Sequence, residues 1–117
     1  MSEDLFDIQE FLERVQNDKE LLVELIGIYL EDYEEKRKTL GEAVDGNNYE
    51  VVRSVAHSLK GSSGNISAKS LRELFWKLED MGKANNLNGA QDILKQVDVI
   101  FAQFQQRVAH LKEEMGV

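Results

Sequence analysis

The 117-residue chain contains no proline. Proline usually punctuates loops and turns, and here nothing breaks the long runs in which apolar residues recur at helical spacing. Together these two features predict an all-α chain. Leu5, Ile8, Phe11, Leu12 and Val15 mark a short amphipathic helix over residues 4–15. A second helix is expected from about Asp18 to Val44, with Asn17 and Glu20 suited to capping its start. Its core arc holds Leu21, Leu22, Leu25, Tyr29, Tyr33 and Leu40. After Gly46, which can end that helix, an asparagine can start a third, which runs to Gly64–Ser67. Ser67 is suited to cap a fourth helix over about 68–85, burying Leu71, Leu74, Phe75 and Leu78, with Met81 a further candidate. Asn88 with Gln91 resembles a capping box before a last helix over about 90–115. That helix is expected to bury Ile93, Leu94, Val97, Ile100, Phe101, Phe104, Val108, Leu111 and Met115. Four long helices with short connections predict an antiparallel four-helix bundle, with the extra short N-terminal helix across one end or side. The whole of 1–117 reads as one domain, with no linker and no repeat at solenoid spacing.

Composition then narrows the function. Hydrophobic residues make up 42% and charged residues 31%, as in a soluble globular protein. The formal net charge of −8 argues against nucleic acid and anionic membranes as partners. There is no cysteine, which excludes disulfides, thiolate catalysis and cysteine-based metal sites. The acidic N-terminus MSEDLFDIQEF is no signal peptide, and no apolar run approaches the ~20 residues that span a bilayer. The expected location is cytoplasmic, by default rather than by a positive signal.

The stretch VVRSVAHSLKGSSGNI, residues 51–66, carries the chemistry. On a helix of about 100° per residue, Val51, Val52, Val55, Ala56 and Leu59 share one arc. His57 falls about 170° from the centre of that arc, on the polar side with Arg53 and Lys60. Gly61 and Gly64 lie either side of it, one and two turns later. Glycine costs a helix about 1 kcal/mol relative to alanine, and access to His57 is the simplest reason for tolerating two.

A core role for His57 conflicts with its place opposite the apolar arc. Its own helix offers no histidine or carboxylate at i±3 or i±4, and Lys60 opposes a metal ion. No nucleophile elbow of the G-x-S-x-G kind is present. A nucleophile exposed to another protein fits better. An imidazole nitrogen can accept a phosphoryl group and pass it on, given in-line access and neutralising charge. The glycines would supply access, and Lys60 with Arg53 the charge. Ser58, Ser62 and Ser63 are nearby hydroxyls, with Ser62 turned toward the core. On spacing alone, an ordinary surface histidine carries equal weight. His110, with no glycine around it, reads as a surface residue.

Two further features stay open from the sequence. Val23, Ile26 and Leu30 widen the apolar arc of the second helix, either as core on a second side or as an exposed contact patch. Trp76 points away from the core arc of its helix, beside Lys69, Arg72 and Lys83. It either packs on an adjacent element or sits exposed among cations as a contact residue.

The run AHSLKGSSGNISAKSL at 56–71 resembles the histidine phosphotransfer (HPt) domain family, whose motif runs H-x-L-K-G-S, then a short gap, an apolar residue and usually Gly-Ala. His57, Leu59, Lys60, Gly61, Ser62, Ser63 and Ala68 match, and Asn65–Ile66 and the downstream LRELFWKLEDMGK, including Leu78–Glu79, are also similar. The motif covers about 48 to 84. Ser67 departs from it where the family often has glycine, and altered turn geometry is expected there. The resemblance implies a four-helix bundle in which His57 accepts phosphoryl groups from aspartates of receiver domains and returns them, downstream of hybrid sensor kinases and upstream of response regulators. It implies that Lys60 stabilises the phosphoryl group and that Gly61 and Gly64 clear space for the receiver. Val23, Ile26, Leu30 and Arg53 would complete the receiver contact. Magnesium would belong to the receiver, so no metal or other cofactor is expected on this chain. The chain is expected to be a monomeric phosphocarrier, free-standing or excised from a larger protein, without kinase or ATPase activity of its own.

Overall fold

Five helices form the regular structure of residues 5–116, which a computed structural model describes. They are α1 (Ile8–Arg14), α2 (Lys19–Asp45), α3 (Tyr49–Asn65), α4 (Lys69–Lys83) and α5 (Ala90–Met115). No strand occurs among the described residues. Helices α2 to α5 form the antiparallel bundle: each touches the next, α2 and α5 close the ring, and α3 and α4 share the most extensive contact. The molecule measures 44 × 22 × 21 Å. At 1.5 Å per residue, the 27 residues of α2 account for most of the long dimension.

The periodicity of each helix decides what it buries. Leu22, Ile26, Tyr29 and Tyr33 of α2 meet Val52, Ala56 and Leu59 of α3, Leu71, Phe75 and Leu78 of α4, and Leu94, Val97 and Phe104 of α5. Each buried aliphatic or aromatic side chain contributes about 1.5–3 kcal/mol. Phe104 lies at the centre of an aromatic group, with Tyr29 edge-on at 5.8 Å and Phe6 at 5.1 Å. Phe6 precedes α1 and is buried, a core residue the helical spacing of 4–15 does not single out. Tyr33 and Phe101 stack at 3.7 Å across the α2–α5 seam.

Side-chain patterns locate the helices better than their caps. Asn48 caps α3 as expected, accepting the Val51 N–H. At the start of α2 the cap is Asp18, which accepts the Leu21 N–H at 3.0 Å, while Asn17 takes a left-handed φ of 62°. Ser67 likewise has φ 62° and does not cap α4; the cap position belongs to Ala68, which makes no side-chain hydrogen bond. Glycine adopts that left-handed conformation most easily. Ser67 instead gains a hydrogen bond, donating to Glu10 Oε1 at 2.7 Å. Asn88 and Gln91 form no capping box, because Gly89 caps α5 at φ 89° and Gln91 reaches across to Asp45.

Helix α1 clamps the corner between α3 and α4. The Arg14 guanidinium donates to the Gly64 and Asn65 carbonyls at 2.7 and 3.0 Å, filling acceptors that the end of α3 leaves open. The Asp7 N–H bonds the Ser67 carbonyl, and Lys69 pairs with both Asp7 and Glu10. These links fix the C-terminal half of the helix that carries His57.

The wide apolar arc of α2 is core at Ile26 and edges the core at Val23 and Leu30. Ile26 is 1% exposed, and Val23 and Leu30 are packed against the core. Leu30 lies with Tyr33 and Phe101 in the groove between α2 and α5. Those positions stand more than 100° round α2 from its exposed residues Leu21 and Ile28. The contact role assigned to Ile26 is therefore corrected, since the bundle buries it, while Val23 and Leu30 are partly buried at the edge of the core.

Gly82 sets the close approach of α4 to α3. A Cβ there would stand 2.7 Å from the Arg53 nitrogen and 2.9 Å from the Tyr49 oxygen, both backbone atoms that cannot move aside. Gly82→Ala is expected to destabilise the fold by about 1–3 kcal/mol, read as a lowered midpoint of thermal or denaturant unfolding. Gly27→Ala, where a Cβ meets nothing within 4 Å, serves as the control and should stabilise slightly. Equal midpoints for the two variants would show that Gly82 is not a packing requirement.

Candidate functional site

His57 lies on α3 with its side chain 64% exposed. Its Nδ1 stands 2.9 Å from Oε2 of Glu79, which α4 brings to the same seam. Glu79 is almost wholly buried, with a side-chain exposure of 3%. Burial alone would push its carboxyl up. Hydrogen bonds from Lys60 and His57 and the charge of Lys60 outweigh that and hold it down at about 2. The group is therefore a carboxylate at neutral pH and can only accept. It follows that Nδ1 carries the proton and donates. In the neutral ring Nε2 then holds the lone pair and turns to solvent.

Glu79 is the hub of the site. Lys60 Nζ pairs with Oε1 at 2.6 Å, and Lys83 Nζ lies 3.4 Å from Oε2. Its helix places it in line with Leu71, Phe75, Leu78 and Gly82, on the buried face of α4. That position was the signal available in the sequence: a lone carboxylate on an apolar arc needs a charged partner. The residues read as functional from the sequence did not include it.

The other predicted residues separate into two groups. Lys60 is at the centre, between Glu79 and the ring of Trp76, whose centroid is 5.2 Å from Nζ. Trp76 is 47% exposed, and the cation over its ring is Lys60 of α3 rather than the expected Lys69, Arg72 or Lys83. Gly61 meets nothing within 4 Å of a Cβ built on it, so no contact inside this chain requires a glycine there. At Gly64 a Cβ would stand 3.2 Å from Cδ of Arg72, and part of its role is to seat that side chain. An open groove runs from Lys60 and Gly61 past Arg14, Leu25 and Trp76.

Arg53 stands apart, its guanidinium paired with Glu50 one turn earlier. The serines are engaged elsewhere. Ser58 accepts from Lys36 at 2.6 Å, Ser62 donates to the Leu59 carbonyl, and buried Ser63 shares a hydrogen bond with the Tyr29 hydroxyl. His110 is a surface residue beside Glu114. Among the described residues no group of three His, Cys, Asp or Glu could hold a metal ion, and no helix is long and apolar enough to cross a membrane.

Chemically, the site offers an oriented imidazole nitrogen in solvent, a buried carboxylate behind the ring, and an ammonium one turn away. A family model described as the Hpt domain matches residues 24–114, a span that holds this whole constellation. The chain belongs to the Hpt domain family. Its Hpt domain is similar to histidine-containing phosphotransfer protein 2 of Arabidopsis thaliana, with 27% identity over 93 residues, covering 75% of this chain. The chain spans 60% of the length of that relative. The Hpt bundle also superposes on the crystal structure of histidine-containing phosphotransfer protein B from Pseudomonas aeruginosa PAO1, with a TM-score of 0.78. That match covers 92% of this chain and 90% of the other at 22% identity, and it shows a shared helical-bundle fold.

Proposed function

We propose that this Hpt domain is a phosphorelay carrier in which His57 accepts a phosphoryl group from a receiver-domain aspartate and passes it to another receiver. One observation carries the reading: Nδ1 of an exposed His57 is tied to a buried carboxylate, which leaves Nε2 free beside a glycine that nothing in the chain requires. The lone pair of Nε2 attacks phosphorus as the bond from phosphorus to the aspartyl oxygen breaks, and the aspartate leaves as carboxylate. The ring keeps its Nδ1 proton and becomes positive, and Glu79 stabilises that charge across 2.9 Å. Lys60 can trade Glu79 for a phosphoryl oxygen through a small movement of its flexible stem. Transfer to the next receiver runs the same step backwards.

The receiver brings Mg²⁺ to its own aspartate, and this chain contributes no metal ligand to the step. The same reading makes the domain a carrier with no kinase or ATPase activity of its own, its site offering a single phosphoryl acceptor in His57. Phosphorylated receiver with Mg²⁺ is expected to transfer label to this chain, held in an acid-labile, base-stable bond. Label that survives acid would place the phosphoryl group on a hydroxyl and overturn the reading.

With Ile26 buried, the receiver contact is placed on the other side of α2, around Leu25 and Ile28. Leu25 lies in the groove with Gly61, and Ile28, exposed, continues that surface. Ile28→Asp is expected to slow transfer from a receiver about tenfold with an unchanged unfolding midpoint, as for a central apolar contact residue. Leu30→Asp should instead lower the midpoint, because Leu30 packs against the core. Unchanged transfer in Ile28→Asp would remove this surface from the contact.

A further inference from the structure

Trp76 is a large ring left half in solvent by a core that does not need it. Its surroundings are specific. His57 and Lys60 are three residues apart on α3, and Trp76 and Glu79 are three apart on α4. Each pair therefore shares one helix face. The two faces meet at the α3–α4 seam, with His57 against Glu79 and Lys60 over Trp76. Lys60 Nζ sits 5.2 Å from the ring centroid and 2.6 Å from Glu79 Oε1.

A lysine stem has four rotatable bonds and loses much rotamer freedom when its ammonium is held in one place. Glu79 holds Lys60 only until a phosphoryl group competes for the same ammonium. The ring face attracts the cation whichever anion it pairs with, because the interaction is with the aromatic quadrupole.

We infer that Trp76 is a positioning residue for phosphoryl transfer: its ring holds the Lys60 ammonium beside His57 while Lys60 exchanges Glu79 for the phosphoryl oxygens. The inference rests on His57 being the phosphoryl acceptor. The action of Trp76 runs through Lys60, the cation over its ring.

Trp76 also lines the groove beside Gly61, so a receiver is the wrong donor for the test. Phosphoramidate is small enough to need no docking surface. With it, Nε2 attacks phosphorus, the P–N bond breaks, and ammonia leaves with the protons it already carries. The measurement is the rate of His57 labelling by phosphoramidate in wild type, Trp76→Leu, Trp76→Phe, Lys60→Ala and the double variant Trp76→Leu/Lys60→Ala.

Trp76→Leu is expected to slow labelling about threefold, the range of an exposed cation–π contact. Trp76→Phe should recover part of that loss, since it keeps a ring face. The double variant should label no more slowly than Lys60→Ala alone, because Trp76 has no other route to the reaction. A purely structural role would lower the rate by the same factor in both backgrounds. Such independent effects, or a Trp76→Leu rate equal to wild type, would overturn the inference. A wild-type chain that takes no label on His57 would overturn the acceptor reading first, and this inference with it.

Discussion

His57→Gln is expected to accept no label from a phosphorylated receiver under conditions in which the wild-type chain takes label. Glutamine keeps the length and polarity of the side chain but has no nitrogen lone pair able to form a bond to phosphorus. The fold should be unaffected, since the wild-type side chain is exposed and its one partner, Glu79, keeps Lys60 and Lys83. Matching circular dichroism and unfolding midpoints would isolate the chemistry. Label in His57→Gln equal to wild type would move the acceptor elsewhere, with His110 the remaining imidazole.

Glu79→Ala is expected to slow labelling of His57 about 10–100-fold, the usual cost of losing a residue that orients a reacting imidazole. Three things change at once: Nδ1 loses its acceptor, the ring loses its orientation, and Lys60 loses the anion that brings it to the site. Glu79→Gln keeps an acceptor for the Nδ1 proton and should lose less. A carboxylate held at about 2, against an ordinary value of 4.5, also links folding to pH. Because the folded value is the lower one, the stabilisation is complete above pH 4.5 and disappears as pH falls toward 2. For a side chain this deeply buried it amounts to about 3 kcal/mol. Denaturant unfolding of wild type and Glu79→Gln between pH 7 and 2.5 should therefore show a stability difference that is constant above pH 4.5 and shrinks below it. Parallel curves across that range would show that Lys60 and His57 do not hold the carboxylate ionised.

Much of this fold is legible in residue spacing. The apolar arcs of α3, α4 and α5 face the core, with Val51, Val55, Ile93, Ile100, Phe101 and Met115 only partly buried at their edges, and the lack of proline does leave the helices unbroken. Caps are less legible, because several polar residues compete at each corner. Asn17 yields to Asp18, and Ser67 gives its hydroxyl to Glu10 on another helix. The wide arc of α2 also misleads. A helix that packs against α3 on one side and α5 on another needs more apolar surface than one seam, and buried Ile26 with partly buried Leu30 supplies it.

The sequence by itself determined the helices, the exposed histidine, the adjacent lysine and the glycine that leaves room beside it. Those are properties of one helix, where 3.6 residues per turn decide which side chains are neighbours. Only the tertiary structure decided the chemistry around the ring. Glu79 is 22 residues from His57 in the chain, and its distance, burial and ionisation all depend on how closely α4 approaches α3. That approach is set by Gly82 against the backbone of Arg53 and Tyr49, a contact that no periodicity within one helix encodes. The same packing places Lys60 over Trp76 and ties the exposed His57 ring to Glu79 through Nδ1.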